Sequence, residues 1–505
     1  MDTKRLAIRS VAFNWLGRGC SFVITFVVTP IVIHGLGNEA YGVWAIVMSA
    51  AAYYAIGDLG LQSACIKYIA QFVALGDREA RDKLVQTALC LYSGLALAVL
   101  LVSLPVTWAF PYLFEFSEQT VTTVRWAVFL TGVTAAIRLQ AQVFVSAIKA
   151  HNRFDVANAI SVVSQIADAC LLVWVVWSGF GLVGMACVMV AVTLLNRLAE
   201  AYFALRLMPG LKLRYTRFDR ESFRLLFHFS SMNVIAQVAN RVNRKSAPLI
   251  IGFFLGPATV PFFEIANRLI AKAETLTKGV NVVALPVASQ LDAEKRRRDL
   301  VQFLILVPRS LVALSMTIGV VLIAMGHRFI ELWIGPEYAE SAYPVLCVLT
   351  AAFVIKNVSG GIRATLAATG GIAYLAKISV VGAVFSIILQ LVFIEFWGLI
   401  GVAWALLATS VVVDGLLLPL VACRTLKYSL ARYLPQTFLR PLAAALPAAA
   451  LAWLLVTYAP PSGMLELLIQ MALAASVAAI AAFFVCLDAS LRANVVRSFW
   501  PAASP

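Results

Sequence analysis

Apolar tracts of roughly 20 residues recur from one end of this 505-residue chain to the other, and that is the length a helix needs to cross a hydrocarbon core about 30 Å thick. Strands of a membrane barrel would be about half as long and would alternate in polarity, so the tracts read as helices. Spans fall at 11–33, 40–62, 85–110, 121–147, 157–178, 181–205, 229–252, 258–287, 300–325, 341–367, 374–396, 399–422, 441–459 and 465–487. With 62% hydrophobic and 13% charged residues and a mean hydropathy of +0.89, the chain could not present a water-soluble surface. The fold class expected is therefore an all-α polytopic membrane protein of about 14 transmembrane helices.

Charge fixes an orientation. Placing the N-terminus in the cytoplasm puts Lys67, Arg78, Arg81, Lys83, the run Arg214, Arg217, Arg220, Arg224 and the stretch "EKRRRD" on that side. The opposite turns then hold Arg328 among glutamates Glu39, Glu115, Glu118, Glu331, Glu337 and Glu340. Positive-inside asymmetry of this kind predicts both termini inside. It also accounts for most of the +15 net charge through loops facing anionic lipid, which removes the argument for nucleic acid. In "GDREARDKL" the pairs Asp77/Arg81 and Glu79/Lys83 suit the solvent face of a helix.

The first tract follows Lys4, Arg5 and Arg9 but is too long for a signal peptide, lacks a convincing small-residue cleavage site and is followed by many more spans, so it reads as an uncleaved helix. Cys20, Cys65, Cys90, Cys170, Cys187, Cys347, Cys423 and Cys486 are scattered singly, and His34, His151, His228 and His327 lie near span ends. Neither set has the spacing of a metal or redox site. No cofactor is expected, and coupling to H+ or Na+ is left open.

An internal repeat is legible. Asn14 precedes Leu36-Gly37 by 22 residues, Asn233 precedes Leu255-Gly256 by the same 22, and the two stretches are 219 residues apart. Each opens a set of six spans, which predicts parallel halves related by an axis along the membrane normal. The domains expected are a six-helix lobe at 1–207, a cytoplasmic linker at 208–228, a second six-helix lobe at 229–423, a linker at 424–440, appended alanine-rich helices at 441–487 and a cytoplasmic tail at 488–505.

Against this background the segment "QVANRVNRKSAPLI" is costly. A mid-membrane charge costs about 2.5 to 3.5 kcal/mol, so Arg241, Arg244 and Lys245 together would cost roughly 8 to 10 kcal/mol facing lipid. A helical wheel puts them on one face with Ser230, Asn233 and Asn240, opposite Val238, Ala239 and Val242, and that face must line water. The alternative is a span that starts near Lys245 behind an amphipathic helix lying in the interface. Glu264, Arg268 and Lys272 share one face of the next span, with Glu264 and Arg268 in the favourable order for a pair. Lys356 and Arg363 lie seven apart around the Gly360-Gly361 step. Arg18 and Arg138 supply charge in the first half. Asp58 sits between glycines in "AIGDLGLQSA" and should pair with a nearby cation. Arg125, Arg197, Lys278 and Arg309 are near enough to span ends to snorkel. Cations outnumber acids at membrane level, which predicts an anionic guest held by arginine forks.

Two stretches carry a family resemblance: "TPIVIHGLGNEAYGVWAIVMSAAAYYAIGDLGLQSACIKYIAQ" from Thr29 to Gln71, and "FIELWIGPEYAESAYPVLCVL" from Phe329 to Leu349. The first has a proline-bearing span, an LG-x-x-x-[YF]-G turn and then D-x-G ahead of a basic residue. The second has a tryptophan-glycine turn before a span. The chain resembles the polysaccharide exporters, the O-antigen and capsule repeat-unit flippases of the multidrug/oligosaccharidyl-lipid/polysaccharide superfamily. The resemblance implies a MATE-like fold, two pseudo-symmetric six-helix lobes plus two C-terminal helices, in the bacterial inner membrane. It implies a non-enzymatic flippase that moves an undecaprenyl-diphosphate-linked oligosaccharide by alternating access through a cationic central cavity. The substrate-binding candidates are Arg18, Arg138, Arg241, Arg244, Lys245, Arg268, Lys272, Lys356 and Arg363, and the coupling or gating candidates are Asp58, Glu264 and Asp414. Implied partners are the polyprenyl-diphosphate-linked glycan, membrane lipids, and a repeat-unit polymerase and chain-length regulator, around a monomeric transport unit. Alternatives on the same fold are a peptidoglycan-precursor lipid flippase and a MATE-type small-molecule exporter, although a cationic guest would call for acids rather than a basic excess. A glycosyltransferase or polymerase would need catalytic groups in a sizeable outer loop, and every outer loop is short. A scaffold would need no charged interior.

Overall fold

The structure, a computed structural model, describes residues 3–58, 60–114, 116, 118–211, 218–486 and 492. Arg214, Arg217 and Glu115, residues 212–217 of the first linker and nearly all of the tail lie outside them. The protein is an all-α polytopic membrane protein that divides into two units, Met1–Pro261 and Phe262–Pro505.

The first unit holds α1 (Thr3–Tyr54), α2 (Leu61–Leu75), α3 (Arg78–Leu113), α4 (Glu118–Gln140), α5 (Gln142–Ala150), α6 (Phe154–Trp177), α7 (Gly181–Leu207) and α8 (Arg220–Leu255). Charged residues start the helices whose first turns lie outside the apolar tracts. The Asp77 carboxylate accepts from the backbone N–H of Ala80 at 2.9 Å ahead of α3, and that of Asp219 accepts from Ser222 N–H at 2.8 Å ahead of α8. Because Asp77 is spent on the cap, the expected Asp77/Arg81 pair does not form. Arg81 turns to Asp82 at 2.6 Å, while Lys83 and Glu79 pair at 2.8 Å as expected. A core of Leu61, Cys65, Ile69, Leu84, Leu89, Tyr92, Phe144 and Ile148 locks α2, α3 and α5 together, and Ala204 and Leu226 bring in α7 and α8. Helix α8 packs on α1, α2 and α3, within this unit.

The second unit holds α9 (Val260–Ala293), α10 (Arg297–Trp333), α11 (Pro336–Lys356), α12 (Ser359–Ala368), α13 (Ile372–Ser410), a π-helical segment (Val411–Leu417), α14 (Leu418–Thr425), α15 (Leu430–Tyr458) and α16 (Met464–Cys486). Its core gathers Leu300, Leu304, Val312, Val358, Ile362, Leu418 and Tyr433. The C-terminal pair packs on the rest of the second unit through α10: α15 runs along it, and α16 packs on both. Ala444, Ala445, Ala448 and Ala452 are buried, small residues that let backbones approach.

Among the described residues ten helices are long and apolar enough to cross a membrane. Two of these stretches contain a break, each falling where the sequence separates two apolar tracts. Gly37 interrupts α1 at φ 79°, ψ 167°. Gly398 interrupts α13 at φ 55°. There the chain reverses, since a Cβ on Gly401 would lie 2.0 Å from the Phe393 carbonyl oxygen, whereas eight residues of straight helix would separate them by about 12 Å. Helices α8 and α9 fall outside the ten because Arg241, Arg244 and Lys245, and Glu264, Arg268, Lys272 and Glu274, load them with charge.

Two tracts expected as single spans are each divided. The first breaks at Ala141 between α4 and α5, the second at Asn357-Val358 between α11 and α12. At the second break Asn357 Nδ2 donates to Phe353 O at 2.8 Å and Ser359 Oγ donates to Lys356 O at 2.7 Å, so side chains compete for the backbone ladder. The breaks correspond under the 219-residue repeat. So do Gly37 and Gly256, whose backbone conformations are nearly identical (φ 79°, ψ 167° and φ 81°, ψ 163°), in a region open essentially to glycine alone.

Candidate functional site

In the first unit the candidate cations whose side chains are described are carried by α4 and α8. Arg241, on the α8 turn nearest the end of α1, donates from Nη1 to the Ala52 carbonyl oxygen at 2.9 Å. Ala52 lies in the last turn of α1, so the guanidinium meets the negative end of the helix dipole. Arg244 is exposed and Lys245 half-buried on the same helix. Arg138 occupies the last turn of α4, just before the break, and stays exposed. Among the described residues no hydrogen bond or ion pair ends on it. The carboxylate of Asp168 on α6 attracts it and Arg197 on α7 repels it. Arg197 is itself bound to Glu200 at 2.5 Å, with Lys149 of α5 in the field of both.

Asp58 does not form the expected pair with a cation. Its Oδ1 accepts from the Tyr92 hydroxyl at 2.7 Å, and the backbone N–H groups of Gly60 and Gln62 at the start of α2 face its carboxylate. Arg241 acts on it only through the field. Asp58 therefore ties the end of α1 to α2 and α3.

In the second unit the candidate cations Arg268, Lys356 and Arg363 each have an acid behind them. Lys356 Nζ, in the last turn of α11, lies 2.9 Å from Glu274 Oε1 of α9, and Lys278 approaches the other oxygen of Glu274 at 3.6 Å. Arg363, on α12, points Nη2 at Asp414 Oδ1 of the π-helical segment at 3.4 Å and Nη1 at Ser379 Oγ of α13 at 3.5 Å. The expected Glu264/Arg268 pair is present at 4.0 Å, with Asn267 Nδ2 donating to the other Glu264 oxygen at 3.2 Å. Lys272 lies one turn beyond Arg268, half-buried. Arg138 and Lys356 stand at matching places in the repeat, each closing the helix before a break.

Arg18 lies on α1, and its side chain is outside the described residues, as are those of Ser230 and Asn233. Arg309 does not snorkel. It is 4% exposed, on the part of α10 that α15 and α16 cover, so packing rather than nearness to a span end decides its position. The partners that sequence reasoning missed are Glu274, Ser379, Tyr92 and Lys149. Glu274 and Lys356 are 82 positions apart and Arg363 and Asp414 are 51 apart, so no local spacing could have joined them. The only visible signal was the i,i+4 step from Glu274 to Lys278.

Comparison with known proteins agrees with this architecture. The chain is 24% identical over 414 residues to a probable low-salt glycan biosynthesis flippase of Haloferax volcanii, covering 80% of each chain. It is 21% identical over 422 residues to a putative O-antigen transporter of Shigella flexneri, covering 81% of this chain and 96% of that one. Among solved structures it is similar to an inward-facing MATE family transporter of the MOP superfamily (TM-score 0.70, 15% identity, 80% of this chain and 96% of that one). It is also similar to a lipid II flippase in an inward closed conformation (TM-score 0.69, 15% identity, 97% and 100%). The fold is thus MATE-like. Residues 36–343 match the family described as "Polysaccharide biosynthesis protein". With that match over more than half its length, the chain belongs to the polysaccharide biosynthesis protein family.

Proposed function

We propose that the protein carries an undecaprenyl-diphosphate-linked oligosaccharide, an O-antigen, capsule or exopolysaccharide repeat unit, from the inner to the outer leaflet of the bacterial inner membrane by alternating access. Counting α1 and α13 as two passes each and adding α8 and α9 raises the ten apolar helices to fourteen, in two six-helix lobes plus α15 and α16, with both termini in the cytoplasm. The observation that carries the reading is a set of membrane-level cations that keep donors to spare. Arg241 is held by a single neutral carbonyl, Arg138 is exposed without a bonded partner among the described residues, and Lys356 and Arg363 remain accessible in front of their acids. A diphosphate offers such groups the charge-assisted, forked hydrogen bonds that water would otherwise supply. Arg244, Lys245, Arg268 and Lys272 extend the basic surface, and Arg18 is assigned to it from the sequence.

The relatives named above as a glycan flippase and an O-antigen transporter support this substrate class. The lipid II flippase, matched over its whole length, keeps a peptidoglycan precursor as the second reading, and both cargoes share the lipid diphosphate. Repeat-unit polymerase and chain-length regulator are the proposed partners, with removal of product giving direction.

Leaflet transfer of labelled polyprenyl-diphosphate sugars by the purified protein in liposomes tests this. The double variant Arg241→Ala, Arg244→Ala should transfer at least about tenfold more slowly, the loss of charge-assisted hydrogen bonds, with its thermal unfolding unchanged within a few degrees. Transfer at the wild-type rate in that variant sinks the reading. Preference for a peptidoglycan precursor over an oligosaccharide repeat unit would select the second one.

A further inference from the structure

The second unit places its acids behind its cations. The side chains of Glu274 and Asp414 are 12% and 11% accessible, those of Lys356 and Arg363 are 39% and 33%. Each carboxylate occupies only part of its partner's hydrogen-bonding capacity. Lys356 gives one of three N–H groups to Glu274, and Arg363 meets Asp414 and Ser379 at 3.4 and 3.5 Å, too long to hold either firmly. The remaining donors face accessible space. Asp414 feels Lys356 as well as Arg363, and Glu274 also draws Lys278, so three cations share two acids. Asp414 is carried on the seven-residue π-helical segment Val411–Leu417, a helix irregularity that is rare and concentrated at functional positions. The pairs Lys356–Glu274 and Arg363–Asp414 are not surface solvation, because each joins different helices.

Resting on the reading above, we propose that Glu274 and Asp414 are resident counter-anions for Lys356 and Arg363. They occupy the cations when no substrate is bound, compete with the incoming diphosphate, and so set an affinity weak enough for release on the far side. Two uncompensated cations in a dry setting would hold a diphosphate too tightly for a carrier, which must bind well enough to load and loosely enough to unload. An anion that displaces the carboxylates gains the forked contacts of arginine but pays for the lost ion pairs. The acids are thus affinity-setting residues. A purely structural role predicts the opposite sign, since a half-buried cation stripped of its partner destabilises its surroundings and offers a worse-organised site.

Binding of inorganic pyrophosphate to the full-length protein in detergent, measured by titration calorimetry, decides between these. Glu274→Gln and Asp414→Asn should each tighten binding about tenfold, the scale of one charge-assisted hydrogen bond, and should slow leaflet transfer under saturating substrate. Glu274→Asp keeps the charge, draws the carboxylate back by one methylene, and should tighten binding by a smaller factor even if the amide variant folds poorly. Lys356→Gln and Arg363→Gln should weaken it. If the acid variants leave affinity unchanged or lower it while the cation variants lose binding, the counter-anion role is wrong and the substrate reading survives. If the cation variants bind as the wild type does, these cations do not hold the diphosphate and that part of the proposed function falls as well.

Discussion

Asp219 shows how far a single residue's role can be read from its neighbours. Its carboxylate accepts from the Ser222 side chain and backbone N–H, which hold its pKa below the ordinary carboxylate value, while its own N–H donates to Thr87 Oγ1 at 3.1 Å and fixes the start of α8 against α3. A depressed folded value means the contribution is complete above the unfolded range of about 4 and disappears as pH falls through the lower folded value. Asp219→Ala should cost about 1 kcal/mol, seen as a lower thermal midpoint in detergent at pH 7, with a gap that narrows towards pH 3. Equal gaps at both pH values would show that the carboxylate's charge does not matter. Residues in local register were legible: Glu79 with Lys83 and Glu264 with Arg268 follow from spacing alone. Asp58 with Tyr92 and Lys356 with Glu274 did not follow, because those partners meet only through the packing of separate helices.

The same divide appears among the elements. Hydrophobic tracts located nearly every helix, since burial in hydrocarbon is proportional to apolar length and needs no tertiary context. The breaks at Ala141 and Asn357, the packing of α15 and α16 along α10 and the π-helical segment were not legible, because each depends on competition between side chain and backbone or on what lies across the interface. Glycine is the exception, since its conformational demand is written in its identity. Gly37 and Gly256 occupy the same left-hand region at equivalent points of the repeat, so Gly37→Ala and Gly256→Ala should each destabilise by about 1 to 3 kcal/mol, measured by thermal unfolding of the purified protein. A loss at one position alone would break the equivalence of the two turns. Gly42 should be less forgiving than either for another reason: a Cβ there would lie 1.8 Å from the Pro257 carbonyl oxygen, a backbone atom that cannot step aside.

For the whole molecule the readable quantities were class and charge asymmetry, both of which are sums over many residues and so survive errors at any one. Orientation is testable at this scale. In a cysteine-free background, Glu337→Cys should react with a membrane-impermeant maleimide in intact cells, and Arg78→Cys only after permeabilisation. The reverse pattern would invert the assigned topology. The candidate site was legible as a list of cations and illegible as a geometry, because a sequence counts charges without saying which ones are already answered. The hold of Arg241 on the Ala52 carbonyl is the case where that difference matters most. A peptide oxygen has no proton to gain across the physiological range, so the acceptor in this contact between α8 and α1 does not itself titrate. Under the proposed function, a lipid diphosphate, which carries more negative charge than an amide, is the competitor suited to lift it.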